Sequence, residues 1–172
     1  CAVGDNGVSC WGDNSDGQTD VPTSLVNPRA ISAGGHHTCA LDDNGVHCWG
    51  KNSAGQTDVP TDLVNPVTVS LGGYFTCVID DNGVHCWGQN GHGQADVPND
   101  LVNPVIVSAG HYYTCALDDN GVRCWGTAND GEADVPSKLV NPVTVSAGAH
   151  HACALYDNGL LCWGSNAYGA RE

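Results

Sequence analysis

The sequence predicts an all-β protein assembled from tandem 38-residue repeats. Three observations lead there. Cys1, Cys39, Cys77, Cys115 and Cys153 stand 38 residues apart, and so do Cys10, Cys48, Cys86, Cys124 and Cys162, each followed by Trp-Gly. Gly17, Gly55, Gly93, Gly131 and Gly169 keep the same period, as do Asp-Val-Pro from positions 20, 58, 96 and 134 and Leu-Val-Asn-Pro from 25, 63, 101 and 139. No window holds a 3.6-residue apolar rhythm free of Gly and Pro, so no helix is expected. The chain reads as a single array over residues 1–172, with units of about 1–38, 39–76, 77–114, 115–152 and 153–172.

Each unit yields short strands in order. Val67 to Ser70 is rich in β-branched residues and follows Asn65-Pro66, which disfavours helix and starts a turn or strand. Tyr74 to Ile79 forms a second strand, Asp80-Asp81-Asn82-Gly83 a tight turn, and Val84 to Trp87 the return strand. Asp96-Val97-Pro98 can be at most an edge strand, because proline donates no ladder hydrogen bond.

A turn at Asp42 to Gly45 sets Leu41 opposite Val46 and Cys39 opposite Cys48. Opposed residues of an antiparallel pair have α-carbons ~4.5 to 5.5 Å apart, a separation that suits a disulfide. The spacing thus predicts five hairpin disulfides, each closing a loop worth roughly 2 to 3 kcal/mol. A zinc site would need two further ligands per hairpin. His47 beside Cys48 becomes Ser9, His85, Arg123 and Leu161 elsewhere, and His36-His37 becomes Tyr74-Phe75, Tyr112-Tyr113 and His150-His151. Aromatic bulk persists while the imidazole does not, so no metal site is expected. Cys-x-x-Cys spacing, the mark of a reactive pair, is absent.

The alternation that joins Cys39 to Cys48 places Trp49 on the opposite side of the hairpin. Strands apolar on both sides are usually covered on both sides. Trp11, Trp49, Trp87, Trp125 and Trp163 are therefore read as inter-repeat core, with stacking on a sugar as the alternative. The paired aspartates, such as Asp42 with Asp43, sit at hairpin tips and are read as turn formers, with weak calcium binding as the alternative.

Five Lys plus Arg against 19 Asp plus Glu give a formal charge of −14, which speaks against nucleic acid and anionic membranes as partners. No apolar run approaches the ~20 residues of a membrane span. Ten cysteines point to an oxidising, extracellular or cell-surface setting. Any signal peptide is expected outside this segment.

The string HTCALDDNGVHCWGKNSAGQ, His37 to Gln56, resembles the repeat of the regulator of chromosome condensation family in its cysteine-bearing form. The resemblance implies a β-propeller-like array in which each unit contributes a small four-stranded blade around an axis. An open β-solenoid or superhelical stack of hairpins is the alternative. None of the family's nuclear exchange-factor residues is carried over, since acidity and disulfides oppose that role.

No catalytic motif survives comparison between units, and neither an enzyme activity nor a cofactor is expected. The expected function is a non-catalytic extracellular scaffold for adhesion or assembly, self-associating head to tail through the edge left open at Cys1. The alternative is a lectin-like multivalent binder of glycan or protein, with Tyr74, Tyr112 and Tyr113 as candidate ligand surface. The loops after each tryptophan vary at positions 13, 51, 89, 127 and 165 and at 16, 54, 92, 130 and 168; solvent-facing drift explains this variation, and the alternative is that these surface loops are where a partner binds.

Overall fold

The computed structural model describes residues 1–127 and 129–167. Gly169 of the repeating series, the variable position Tyr168 and the pattern break at Ala170-Arg171-Glu172 lie outside the described residues. Fourteen strands, and no α-helix, form five antiparallel sheets among these residues.

The first sheet pairs β1 (Ala2–Gly4) with β2 (Gly7–Ser9). Each later sheet has three strands. They are β3 (Ala30–Ala33), β4 (His37–Asp42) and β5 (Gly45–Gly50); then β6 (Thr68–Leu71), β7 (Phe75–Asp80) and β8 (Gly83–Gly88). The last two are β9 (Ile106–Ala109), β10 (Tyr113–Asp118) and β11 (Gly121–Gly126), and β12 (Thr144–Ala147), β13 (His151–Tyr156) and β14 (Gly159–Gly164). Each three-stranded sheet therefore begins upstream of its first cysteine and straddles the boundary drawn there.

Three strands, not four, make each full blade. Asp96-Val97-Pro98 forms no strand; Asp96 and Val97 instead donate to the Gly93 and Ala95 carbonyls in tight turns. Proline's missing N–H and its fixed φ suit such a turn better than a ladder.

The register sets Cys39 opposite Cys48 and Leu41 opposite Val46, and the same offsets recur in each blade. All ten cysteines are paired, each with the residue nine positions away, across Cα separations of 4.0 to 4.1 Å.

Successive sheets stack side by side, with β3, β6, β9 and β12 as neighbours along the inner edge. Serine links them: Ser70 Oγ accepts from Ala109 N–H, and Ser108 Oγ from Ala147 N–H, both at 2.9 Å. Among the described residues the sheets run as an open array and do not close into a ring.

Glycine is required where adjacent turns cross at the inner edge. A methyl on Gly72 would lie 2.5 Å from the Gly110 carbonyl oxygen and collide with the Phe75 ring. Beneath these glycines sits a row of rings, His37, Phe75, Tyr113 and His151, the first three fully buried.

Candidate functional site

Each seam between sheets is locked by one carbonyl. Trp49, Trp87, Trp125 and Trp163 donate their indole N–H to the carbonyls of Gln18, Gln56, Gln94 and Glu132, at 3.0, 3.1, 3.1 and 2.8 Å. Thr38, Thr76 and Thr114 donate to the first three of the same carbonyls at 2.8 Å. Two donors on the two lone pairs of one oxygen fix the angle between blades.

Those four tryptophans are buried or half-buried in the seams. Trp11 departs from the expected core position and is 69% exposed. The acceptor in every other seam lies 31 positions upstream, and no residue of this sequence stands there for Trp11.

Thr76 spends its only hydroxyl proton on Gln56, so it must accept from His37 Nε2–H, 2.9 Å away. This fixes the His37 tautomer and leaves Nδ1 buried without a partner. Burial, with His36 nearby, pushes the His37 pKa down to about 4. His37 is thus a neutral packing residue.

The hairpin-tip aspartates are committed to the backbone. Asp80 accepts from Val64 N–H and Asn82 N–H at 2.7 Å, and from the His85 ring at 3.0 Å. Burial alone would raise its carboxyl, but these bonds and His85 outweigh it and hold the pKa below the usual range. Asp42 is held down in the same way by Val26, Asn44 and His47. The second aspartate of each pair, Asp43, Asp81 or Asp119, accepts from Asn27, Asn65 or Asn103, whose φ of 49 to 50° is one that asparagine tolerates. Three equivalent grooves of 490 to 530 Å³ flank these tips.

One face of the array carries the variation. There the loop after one sheet meets the residue preceding the second strand of the next, so positions 16, 92 and 130 approach 36, 112 and 150. Asp16 meets the His36 ring at 2.9 Å and Lys51 at 3.6 Å, and Lys51 lies 5.7 Å from the centre of the Tyr74 ring. His36 stacks on Tyr74, and His111 on Tyr112, with centroids 4.8 and 4.0 Å apart. At the centre, the glycine turns of four sheets surround a shallow apolar hollow of 290 Å³.

The candidate ligand surface is corrected at one position. Tyr74 and Tyr112 are half-buried at this face, but Tyr113 is only 1% exposed. It opens strand β10, lies under Gly110 and donates its hydroxyl to the Gly148 and His151 carbonyls. Burial and the Glu132 carboxylate push its pKa far up.

Comparison between repeats of the cysteine hairpins alone overlooks Glu132. The signal was present as Gly131-Glu132, where Gly17-Gln18, Gly55-Gln56 and Gly93-Gln94 keep glutamine.

The regulator of chromosome condensation (RCC1) repeat matches residues 29–56, 67–94 and 143–170. No curated protein sequence is significantly similar to the chain. Among solved structures, the entire ectodomain of the receptor kinase CR4 from Physcomitrella patens superposes with a TM-score of 0.76 at 26% identity, over 92% of this chain and 47% of that one. The CRINKLY WD40 ectodomain of the Arabidopsis thaliana receptor kinase ACR4 gives 0.72 at 25% identity, over 91% and 61%. Prp20p from Saccharomyces cerevisiae, described with its binding to Gsp1p and histones, shares the fold at 18% identity and a TM-score of 0.71, over 83% and 46%. The chain therefore spans about half to three-fifths of the length of these relatives. Three repeats of the chain thus match the RCC1 repeat, and its motifs, its disulfide-closed blades and these likenesses together give it an RCC1-like fold.

Proposed function

We propose that the chain is a non-catalytic extracellular scaffold that binds a protein partner through its variable face. The observation that carries this reading is the separation of constant from variable residues. Carbonyl locks, disulfides and glycine turns repeat from seam to seam, while the variable loop positions 16, 92 and 130 share one surface with 36, 112 and 150. A frame that holds its geometry while its face varies is what recognition needs. The two receptor-kinase ectodomains among its structural neighbours support an extracellular setting, as do the five disulfides. The charge of −14 favours a partner with a basic surface.

A photo-crosslinker placed at Tyr74 or Tyr112, and separately at the exposed rim residues Val67 or Val105, tests the proposal on native cell-surface material. Adducts at the face that unlabelled chain competes away are expected. Equal labelling from the rim would overturn the proposal. A glycan array separates the lectin-like alternative, which the stacking of His36 and His111 against Tyr74 and Tyr112 disfavours by covering ring faces a sugar would use.

A further inference from the structure

We propose that Asp130, Glu132 and His150 form a binding site for one zinc ion across the seam between the fourth and fifth sheets. Their candidate ligand atoms all lie within 4.8 Å of one another, at a pocket of 170 Å³ that Tyr112 and Tyr113 also line.

Glu132 carries the argument. In three seams glutamine holds this place, and its side-chain oxygen accepts one backbone N–H. Asp16 donates to Gln18, Ala54 to Gln56 and His92 to Gln94, at 2.8 to 2.9 Å. Glu132 Oε2 performs the same task for Asp130 N–H at 2.9 Å. The fold's demand at this position is thus met by a neutral amide, and the charge of Glu132 is surplus to it.

That charge is buried. Glu132 is 2% exposed, and among the described residues neither Lys nor Arg pairs with it. Its second oxygen, Oε1, takes part in no hydrogen bond there and points to His150 Nδ1, 3.8 Å away. This separation is too long for a hydrogen bond but suits two ligands of a common ion. A buried carboxylate whose nearest cationic group lies beyond hydrogen-bond reach is stabilised by a bound cation.

The donor set selects the ion. One imidazole and two carboxylates at ~2.0 to 2.2 Å match zinc, which accepts mixed nitrogen and oxygen ligands and leaves a fourth position for water. Calcium and magnesium prefer all-oxygen shells with more ligands. The expectation of no metal weighed the histidines beside the cysteines and the His36-His37 series, His150 included, but not Asp130 or Glu132.

The other seams supply folding controls for every ligand. Position 130 is alanine at 54, position 132 is glutamine at 18, 56 and 94, and position 150 is tyrosine at 74 and 112. Asp130→Ala, Glu132→Gln and His150→Tyr therefore each install a residue that this framework already accommodates. The full chain, with disulfides intact, would be stripped with a chelator and titrated with Zn²⁺ by calorimetry, with Ca²⁺ in parallel. One zinc per chain is expected at this site, with affinity lowered at least tenfold by Glu132→Gln and by His150→Tyr while circular dichroism stays unchanged. Absence of zinc binding overturns the proposal, as does calcium binding in its place. Zinc binding that Glu132→Gln leaves intact would belong to other histidines and would overturn it equally.

Discussion

Replacing His37 with phenylalanine should remove a specific part of the protein's acid sensitivity. The variant carries the residue found at Phe75, the equivalent place one repeat on, so the cavity under the glycine turn stays filled. In the folded chain burial lowers the His37 pKa to about 4, against an ordinary value near 6.5. The folded state therefore binds fewer protons than the unfolded state between those values. The stability this residue confers is fully present above pH 6.5 and declines as pH falls toward 4. That gap corresponds to about 3 kcal/mol, at 1.36 kcal/mol for each tenfold change in proton affinity. Urea unfolding at pH 7.5 and pH 4.5 measures it. The wild-type chain should lose about 2 to 3 kcal/mol more than His37→Phe over this interval. His111, whose pKa is also lowered by burial and by His150 and His36, is common to both chains and largely cancels in the comparison. Asp42 and Asp80 titrate below the chosen window, because their pKa values lie below the ordinary carboxylate value. An identical pH dependence in the two chains would refute the assignment of His37 as a buried neutral imidazole.

Other perturbations address other parts of the frame. Gly72→Ala forces a methyl against the Gly110 carbonyl and the Phe75 ring, and should lower stability by about 1 to 3 kcal/mol in urea. Trp87→Phe removes one of two donors to the Gln56 carbonyl and should cost about 0.5 to 1.5 kcal/mol; adding Thr76→Val leaves that carbonyl without either donor, and a double-mutant cycle should show more than additive loss. Changing Cys77 and Cys86 together to serine should cost roughly 2 to 3 kcal/mol, read from the urea midpoint. Asp80→Asn should cost about 1 to 3 kcal/mol at pH 7 and flatten the loss of stability below pH 4, since the lowered pKa of Asp80 makes its contribution one that disappears on acidification.

Much of the blade was legible in advance because it depends on local spacing. A separation of nine positions between paired cysteines, with Asp-Asn-Gly between them, fixes the hairpin register before any tertiary contact forms. The strand count was less legible. Whether Val97 pairs in a ladder depends on a neighbour that local pattern does not name, and the turns at Gly93 and Ala95 took its hydrogen bonds. Tyr112 and Tyr113 are adjacent and chemically alike, yet one faces the surface and the other the interior. That difference is set by where strand β10 begins, and alternation inverts every side chain if the start moves by one. The seam locks were illegible, since their acceptors are main-chain carbonyls that any residue could provide. Only the exchange of glutamine for glutamate at 132 left a trace in the sequence, and its meaning required knowing that His150 lies beside it.

The hydroxyl that doubles the donor at three seams is missing from the last: Ala152 replaces threonine, and among the described residues the Glu132 carbonyl receives Trp163 alone. Pulled lengthwise, a stack of tiles parts first at its weakest joint, and this is the joint with one rivet fewer. Asp130 and Glu132 stand on one side of it and His150 on the other, so a zinc ion there would weld the interface that the missing hydroxyl leaves underfastened.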